Sequence, residues 1–182
     1  MKLKLTNVRL AFPALFEAKT VNGEGDRAFS AALLIDPADA QVKTINTAID
    51  AVATEKWGKK ATEILALMRK TDKICLHDGD LKASYDGFPG NLYVSARNKV
   101  RPTVLDSDKT PLVQADGKPY AGCYVHAVLE LWAQDNKYGK RVNATLMGVQ
   151  FYRDGDSFTG GGAASDDDFD DVSSGATADD LA

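Results

Sequence analysis

Only two cysteines, Cys75 and Cys123, and two histidines, His77 and His126, occur in the 182 residues. The cysteines lie far apart and form no CxxC pair, which excludes a disulfide framework or a zinc ribbon as the organising device. A mixed site drawn from Cys75, His77, Cys123 and His126 has ligand types that suit zinc. Such residues are more often buried or hydrogen-bonded without a metal, and no metal is assigned. With so few histidines, a triad or metal cluster has few possible members. The GxxxxGK[ST] loop, the GxSxG elbow, the HExxH helix and a strand-flanked GxGxxG are all missing. No apolar run reaches the roughly 20 residues that span a bilayer, and MKLKLTNVRL lacks the apolar core and cleavage site of a secretory signal. A cytoplasmic protein with no cofactor, no catalytic residue and no membrane partner is expected.

Cations are missing from the end of the chain. All 22 Lys and Arg lie at or before Arg153, whereas nine of the 26 Asp and Glu come after it, so the body carries +5 although the whole chain carries −4. A basic body with an acidic end points to nucleic-acid contact or to an interaction tail. From TGGGAASDDDFDDVSSGATADDLA onward, apolar residues are too sparse for burial to offset ordering entropy. One folded domain over residues 1–157 is expected, followed by a flexible Gly-rich linker and acidic tail over 158–182.

Within the body, Lys2 to Leu10 alternates cationic and apolar residues, a strand with one wet face. The turn-rich VNGEGD leads to a second strand, RAFSAALLID. Asp36 followed by Pro37 is a helix start, and Val42, Ile45, Ile49 and Val52 form its apolar stripe. Trp57-Gly58 ends that helix, and KKATEILALMRK supplies a second. Beyond a turn-rich stretch come the strand LYVSARNKVRP, a long excursion, and AGCYVHAVLELWAQD, whose apolar face is Cys123, Val125, Ala127, Leu129 and Leu131. A hairpin tip, DNKYGK, returns the chain through RVNATLMGVQFYRDGD. Five strands with helices inserted after the second predict a mainly β fold, a small barrel elaborated by a helical cap.

The strand from Leu92 to Pro102 puts Leu92, Val94, Ala96, Asn98 and Val100 on one face and Tyr93, Ser95, Arg97, Lys99 and Arg101 on the other. The hairpin adds Lys137, Tyr138, Lys140 and Arg141, and the last strand ends in Phe151, Tyr152 and Arg153. Cations interleaved with rings suit a single-stranded nucleic acid, because cations track phosphates while unpaired bases stack on aromatic faces. The expected groove therefore uses Arg97, Lys99, Arg101, Lys137, Lys140, Arg141 and Arg153 for phosphates, and Tyr93, Tyr138 and Trp132 for bases. The plain alternative is a charged strand edge with the rings in the core. Trp57 with Lys56, Lys59 and Lys60 is a second basic-aromatic cluster, read as helix-end packing. Asp78 and Asp80 in HDGD have the chemistry for a divalent cation, as a metal-dependent nuclease or recombination accessory protein needs, although Asp-Gly-Asp is also a common turn.

In the tail, Asp166, Asp167, Asp168, Asp170, Asp171, Asp179 and Asp180 surround or follow Phe169. A tethered polyanion competes with DNA for a cationic groove, and Phe169 in DDDFDD gives replication partners an acidic-hydrophobic motif. An acidic interaction protein that mimics DNA is the alternative, opposed by the basic body.

Taken together, VRLAFPALFEAK, HDGD, YVSARNKVRPTVLD, YAGCYVHA, YGKRVNATLMGVQFYRDGD and the Gly-rich run into DDDFDD resemble the phage single-stranded-DNA-binding proteins of the enterobacterial-phage type. The resemblance implies an OB (oligonucleotide/oligosaccharide-binding) barrel that coats single-stranded DNA in phage replication or recombination, in the cytoplasm of an infected bacterium. It implies no catalytic residues. Related tails end in an aromatic residue, whereas this sequence closes on ADDLA, which leaves Phe169 or Leu181 as the docking residue.

Overall fold

The computed structural model describes residues 1–21 and 23–158. The strand that begins at Lys2 runs on well past Leu10: β1 spans Lys2–Val21 and pairs antiparallel with β2, Glu24–Ile35. Pro13 has no N–H for a ladder. The β1–β2 register shifts between Ala11 and Ala14, and Phe12 takes φ +47° in the resulting bulge.

The first helix, α1, is Gln41–Trp57, so it starts later than the Asp36-Pro37 signal predicts. Asp36 Oδ1 accepts from the Ala38 N–H at 2.8 Å and Asp39 Oδ1 from the Gln41 N–H at 2.9 Å. Two aspartates thus cap successive turns, and the helix propagates only after the second. Gly58 ends it at φ +57°, and a 3₁₀ turn over Gly58–Lys60 leads into α2, Ala61–Lys70. Ile45, Ile49 and Val52 are buried with Leu65 and Met68 in the barrel's own core, and Val42 packs at its margin.

The remaining strands are β3 (Leu76–Asp78), β4 (Leu92–Asn98), β5 (Thr103–Leu105), β6 (Tyr124–Asn136) and β7 (Gly139–Arg153). β1 pairs with β6 through Lys2 to Arg9 and with β2 from Arg9 onward, so one long bent strand serves both neighbours. Neighbours run β4-β2-β1-β6-β7, and a parallel contact of Arg97 with Thr145 joins β7 back to β4. Five strands therefore close into a barrel, as expected; β3 and β5 only extend its edges. Cys123, Val125, Ala127, Leu129 and Leu131 are at most 1% exposed, the predicted inward face of β6. Each such Leu or Val contributes about 1.5–3 kcal/mol by leaving water.

A second, smaller apolar cluster lies outside the barrel wall: Ala11, Ala32, Leu34, Phe88 and Tyr93, with Phe158 packed against it. The excursion over residues 79–91 covers these outward-facing side chains. Phe158, expected as the first residue of the tail, instead belongs to the folded body, where its N–H donates to the Ala121 carbonyl at 3.0 Å. Among the described residues, no helix is long and apolar enough to cross a membrane.

Candidate nucleic-acid interface

One transverse row crosses three strands of the barrel wall. Ser30 on β2 is opposite Arg97 on β4, and Arg97 is opposite Thr145 on β7. Residues opposite one another share a sheet face. Because Val94 and Ala96 point into the core, alternation turns Arg97 and its row outward. The Trp132 indole N–H donates to Thr145 Oγ1 at 3.1 Å, which carries the row onto β6. Arg97 is exposed and, among the described residues, its guanidinium has no hydrogen-bond or ion-pair partner. Asp26 feels its charge at a distance, but no described residue grips the guanidinium, which leaves it free to meet an anion.

Beyond Ser30 the wall becomes aromatic. Phe12, turned outward by the β1 bulge, is 51% exposed and meets Tyr85 edge to face at 4.9 Å. Phe88 lies 5.7 Å from Phe12, and the Lys82 ammonium stands 5.9 Å from the Phe12 ring. Phe12, Ala14, Ser30, Tyr85 and Phe158 line an open concavity of about 590 Å³. These aromatic residues were missed from sequence. Pro13 inside a strand pattern was the available signal, since proline there marks an edge or a bulge.

The β6–β7 hairpin stands at the other side. Asn136 Oδ1 accepts from the Tyr138 N–H at 2.9 Å, and Gly139 takes φ +105°, so the tip is tight and throws the Tyr138 ring into solvent, 76% exposed. Lys137 lies 5.0 Å from that ring. Lys140 pairs with Asp135 at 3.2 Å, and Arg141 is partly exposed.

The other expected site residues fare differently. Tyr93 shares the outer face with Arg97 but is only 4% exposed, so the expectation of an open base-stacking ring there is corrected. His77 stacks on it at 4.8 Å and Phe88 meets it edge-on at 5.1 Å. Burial, with Asp72 nearby, pushes its phenol pKa up. The alternation stops at Asn98, where β4 ends: Val100, expected inside, is 71% exposed. Lys99 consequently reaches back to Asp26 near the start of β2 at 3.0 Å, and this contact holds the Asp26 carboxyl below its usual range. Arg101 lies 5.5 Å from the Phe16 ring. Arg153 is not brought to the hairpin. It sits at the far end of β7 from Arg141, roughly 40 Å along the strand at about 3.3 Å per residue. There it stacks on Tyr124 at 3.9 Å and donates to Asn7. Asp166, Asp167, Asp168, Phe169, Asp170, Asp171, Asp179 and Asp180 lie outside the described residues.

In HDGD, Asp78 Oδ1 accepts from the Asp80 N–H and Asp80 Oδ1 from the Gly90 N–H, both at 2.9 Å. These carboxylates fasten the covering loop. Cys75 and Cys123 are buried, and desolvation pushes their thiols up to about 12 and about 11. His77 stacks on Tyr93 and His126 on Tyr152. Among the described residues, no three His, Cys, Asp or Glu gather into a metal-holding group.

Numbered in chain order, the five barrel strands follow the circuit 1-2-3-5-4, with an open face flanked by the first and last hairpins; this is a barrel of the OB class. The chain belongs to the family described as the ssDNA-binding protein of Enterobacter phage Enc34, which it matches over residues 1–182. It is 50% identical over 176 residues to protein p50 of Acyrthosiphon pisum secondary endosymbiont phage 1, with 95% of each chain covered. The single-stranded DNA-binding protein from bacteriophage Enc34, solved in complex with ssDNA, is similar at a TM-score of 0.72 and 27% identity, over 86% of this chain and 89% of that one. The single-stranded DNA-binding protein gp2.5 of bacteriophage T7 has a TM-score of 0.58 at 11% identity, over 90% of this chain and 98% of that one, a likeness of fold alone.

Proposed function

We propose that the protein binds single-stranded DNA across the Ser30–Arg97–Thr145 row, largely without regard to base sequence, and coats it during phage replication or recombination. The observation that carries this reading is an unpaired Arg97 set between exposed rings, Phe12 and Tyr85 on one side and Trp132 and Tyr138 on the other. Arg97, Lys82 and Lys137 meet phosphates, while the rings stack bases at about 1–3 kcal/mol each. Every base has a π-face, so such a surface discriminates little among sequences. The Enc34 protein, solved in complex with ssDNA, supports the reading through shared family and fold.

The acidic segment from Asp166 onward competes for the same cations. It is tied to the concavity's rim at Phe158, and a short tether gives an effective concentration in the millimolar range. When DNA displaces it, the segment around Phe169 is released to recruit replication or recombination proteins.

Quenching of the two tryptophans by an oligothymidylate, against a duplex of equal length, tests the reading. Saturable quenching that weakens steeply with salt, stronger for the single strand, is expected. No binding of either form, or equal binding of both, overturns it. Deleting residues 165–182 is expected to tighten binding at low salt; unchanged affinity removes the competing tail.

A further inference from the structure

Trp57 packs against the core at the end of α1, as expected, and its indole N–H also donates to Asp135 Oδ2 at 3.0 Å, at the root of the β6–β7 tip. The same carboxylate holds Lys140 through Oδ1 at 3.2 Å. Those two hydrogen bonds, together with the nearby charge of Lys56, keep its pKa below the usual range. Residues 78 positions apart are thus locked into one corner.

The corner is strongly cationic. Lys56 in the last turn of α1 and Lys59 and Lys60 in the following 3₁₀ turn are exposed, as is Lys137 at the hairpin tip. None of these four has a close ion-pair partner among the described residues; Asp135, which feels the charge of Lys56, is held by Trp57 and Lys140. Glu55 and Glu63 are the acids that neighbour the three lysines in sequence. A group of ammonium groups only partly offset by Asp135 costs self-repulsion, which a polyanion relieves. Tyr138, largely exposed, joins this corner to the barrel face.

We propose that a bound single strand does not end at the β6–β7 hairpin but passes over it onto the α1–α2 corner, where Lys56, Lys59 and Lys60 take its next phosphates. The inference rests on the DNA-binding reading above and extends its footprint from the barrel to the helical insert. The helices then serve twice, sealing the core with Ile45, Ile49 and Leu65 and lengthening the binding track with their exposed turn.

The test compares oligothymidylates of two lengths, about 6 and about 16 nucleotides, chosen to span the site sizes of OB folds. Binding to each is titrated against salt for wild type, for K56Q/K59Q/K60Q, and for K43Q/K70Q/K109Q, a control that removes equal charge elsewhere. For the longer oligomer the corner variant is expected to weaken binding and flatten the log–log salt dependence by about 2, three phosphate contacts at roughly 0.7 each. Its binding to the short oligomer should match wild type, and the control should show no length-dependent change. An unchanged slope on the long oligomer, equal losses on both lengths, or the same loss in the control overturns the extended path while leaving barrel binding intact. Failure of the wild type to bind either oligomer overturns instead the reading on which the path rests.

Discussion

Arg97 and Thr145 face each other across the parallel contact that closes the barrel, and Thr145 in turn holds the Trp132 indole. One row of side chains therefore spans the seam between the third and last barrel strands, with its cation exposed. Arg97→Ala should lower oligothymidylate affinity and reduce the salt slope by about 0.7, the effect of one phosphate contact. Its folding stability should stay within about 0.5 kcal/mol of wild type, as for other exposed positions. Identical salt titrations for variant and wild type would remove Arg97 from the interface.

The open rings and the covered ring should separate cleanly. Phe12→Ala and Tyr85→Ala are expected to cost on the order of 1–3 kcal/mol of binding with an unchanged salt slope. Tyr93→Ala should register in denaturant unfolding, at about 3 kcal/mol, because it empties a site beneath Phe88 and His77. Calorimetric binding and urea melts on all three proteins check both halves. A Tyr93→Ala protein as stable as wild type would contradict the packing described.

Gly79 lies so close beneath the covering loop that an added Cβ would come within 2.4 Å of the Asn91 carbonyl oxygen and closer still to that of Phe88. Gly79→Ala should therefore cost about 1–3 kcal/mol by overpacking. Amide exchange should rise across residues 79–91, and binding should weaken as Tyr85 loses its place. Wild-type exchange in that segment would refute the prediction.

His126 links stability to pH. Its Nδ1 accepts from the Asn7 N–H at 3.0 Å, which requires the neutral ring, and burial followed by the charge of Lys4 depresses its pKa. The unfolded chain takes up this proton near pH 6.5, the folded chain only at lower pH. Below about 6.5 the unfolded state thus holds more protons, so the contribution is complete above that pH and is lost as pH falls through the folded value. Asp26, Asp106, Asp108 and Asp135 are all depressed carboxylates that act only below about pH 4. Urea midpoints should therefore fall between pH 7 and 5 in wild type and fall less in His126→Gln, which keeps an acceptor for Asn7. Parallel declines would assign the effect elsewhere.

Much of this was legible in the chain. The alternation in β6 named its inward face residue by residue, the stripe of α1 named its buried side, and the phase of β4 placed Arg97 outward. Each depends on a side chain's direction relative to its immediate neighbours, which the backbone period of a strand or helix sets locally. Whether an outward side chain reaches solvent is a different question. Tyr93 and Arg97 share a phase, yet one lies under Phe88 and the other is open, because a loop beginning at Gly79 folds back over one end of the strand only. Trp57 and Asp135, far apart along the chain, meet only after the barrel has closed against the helices. Periodicity determined the faces; the tertiary structure decided which parts of them remained uncovered, because covering depends on contacts between distant segments that no local period encodes.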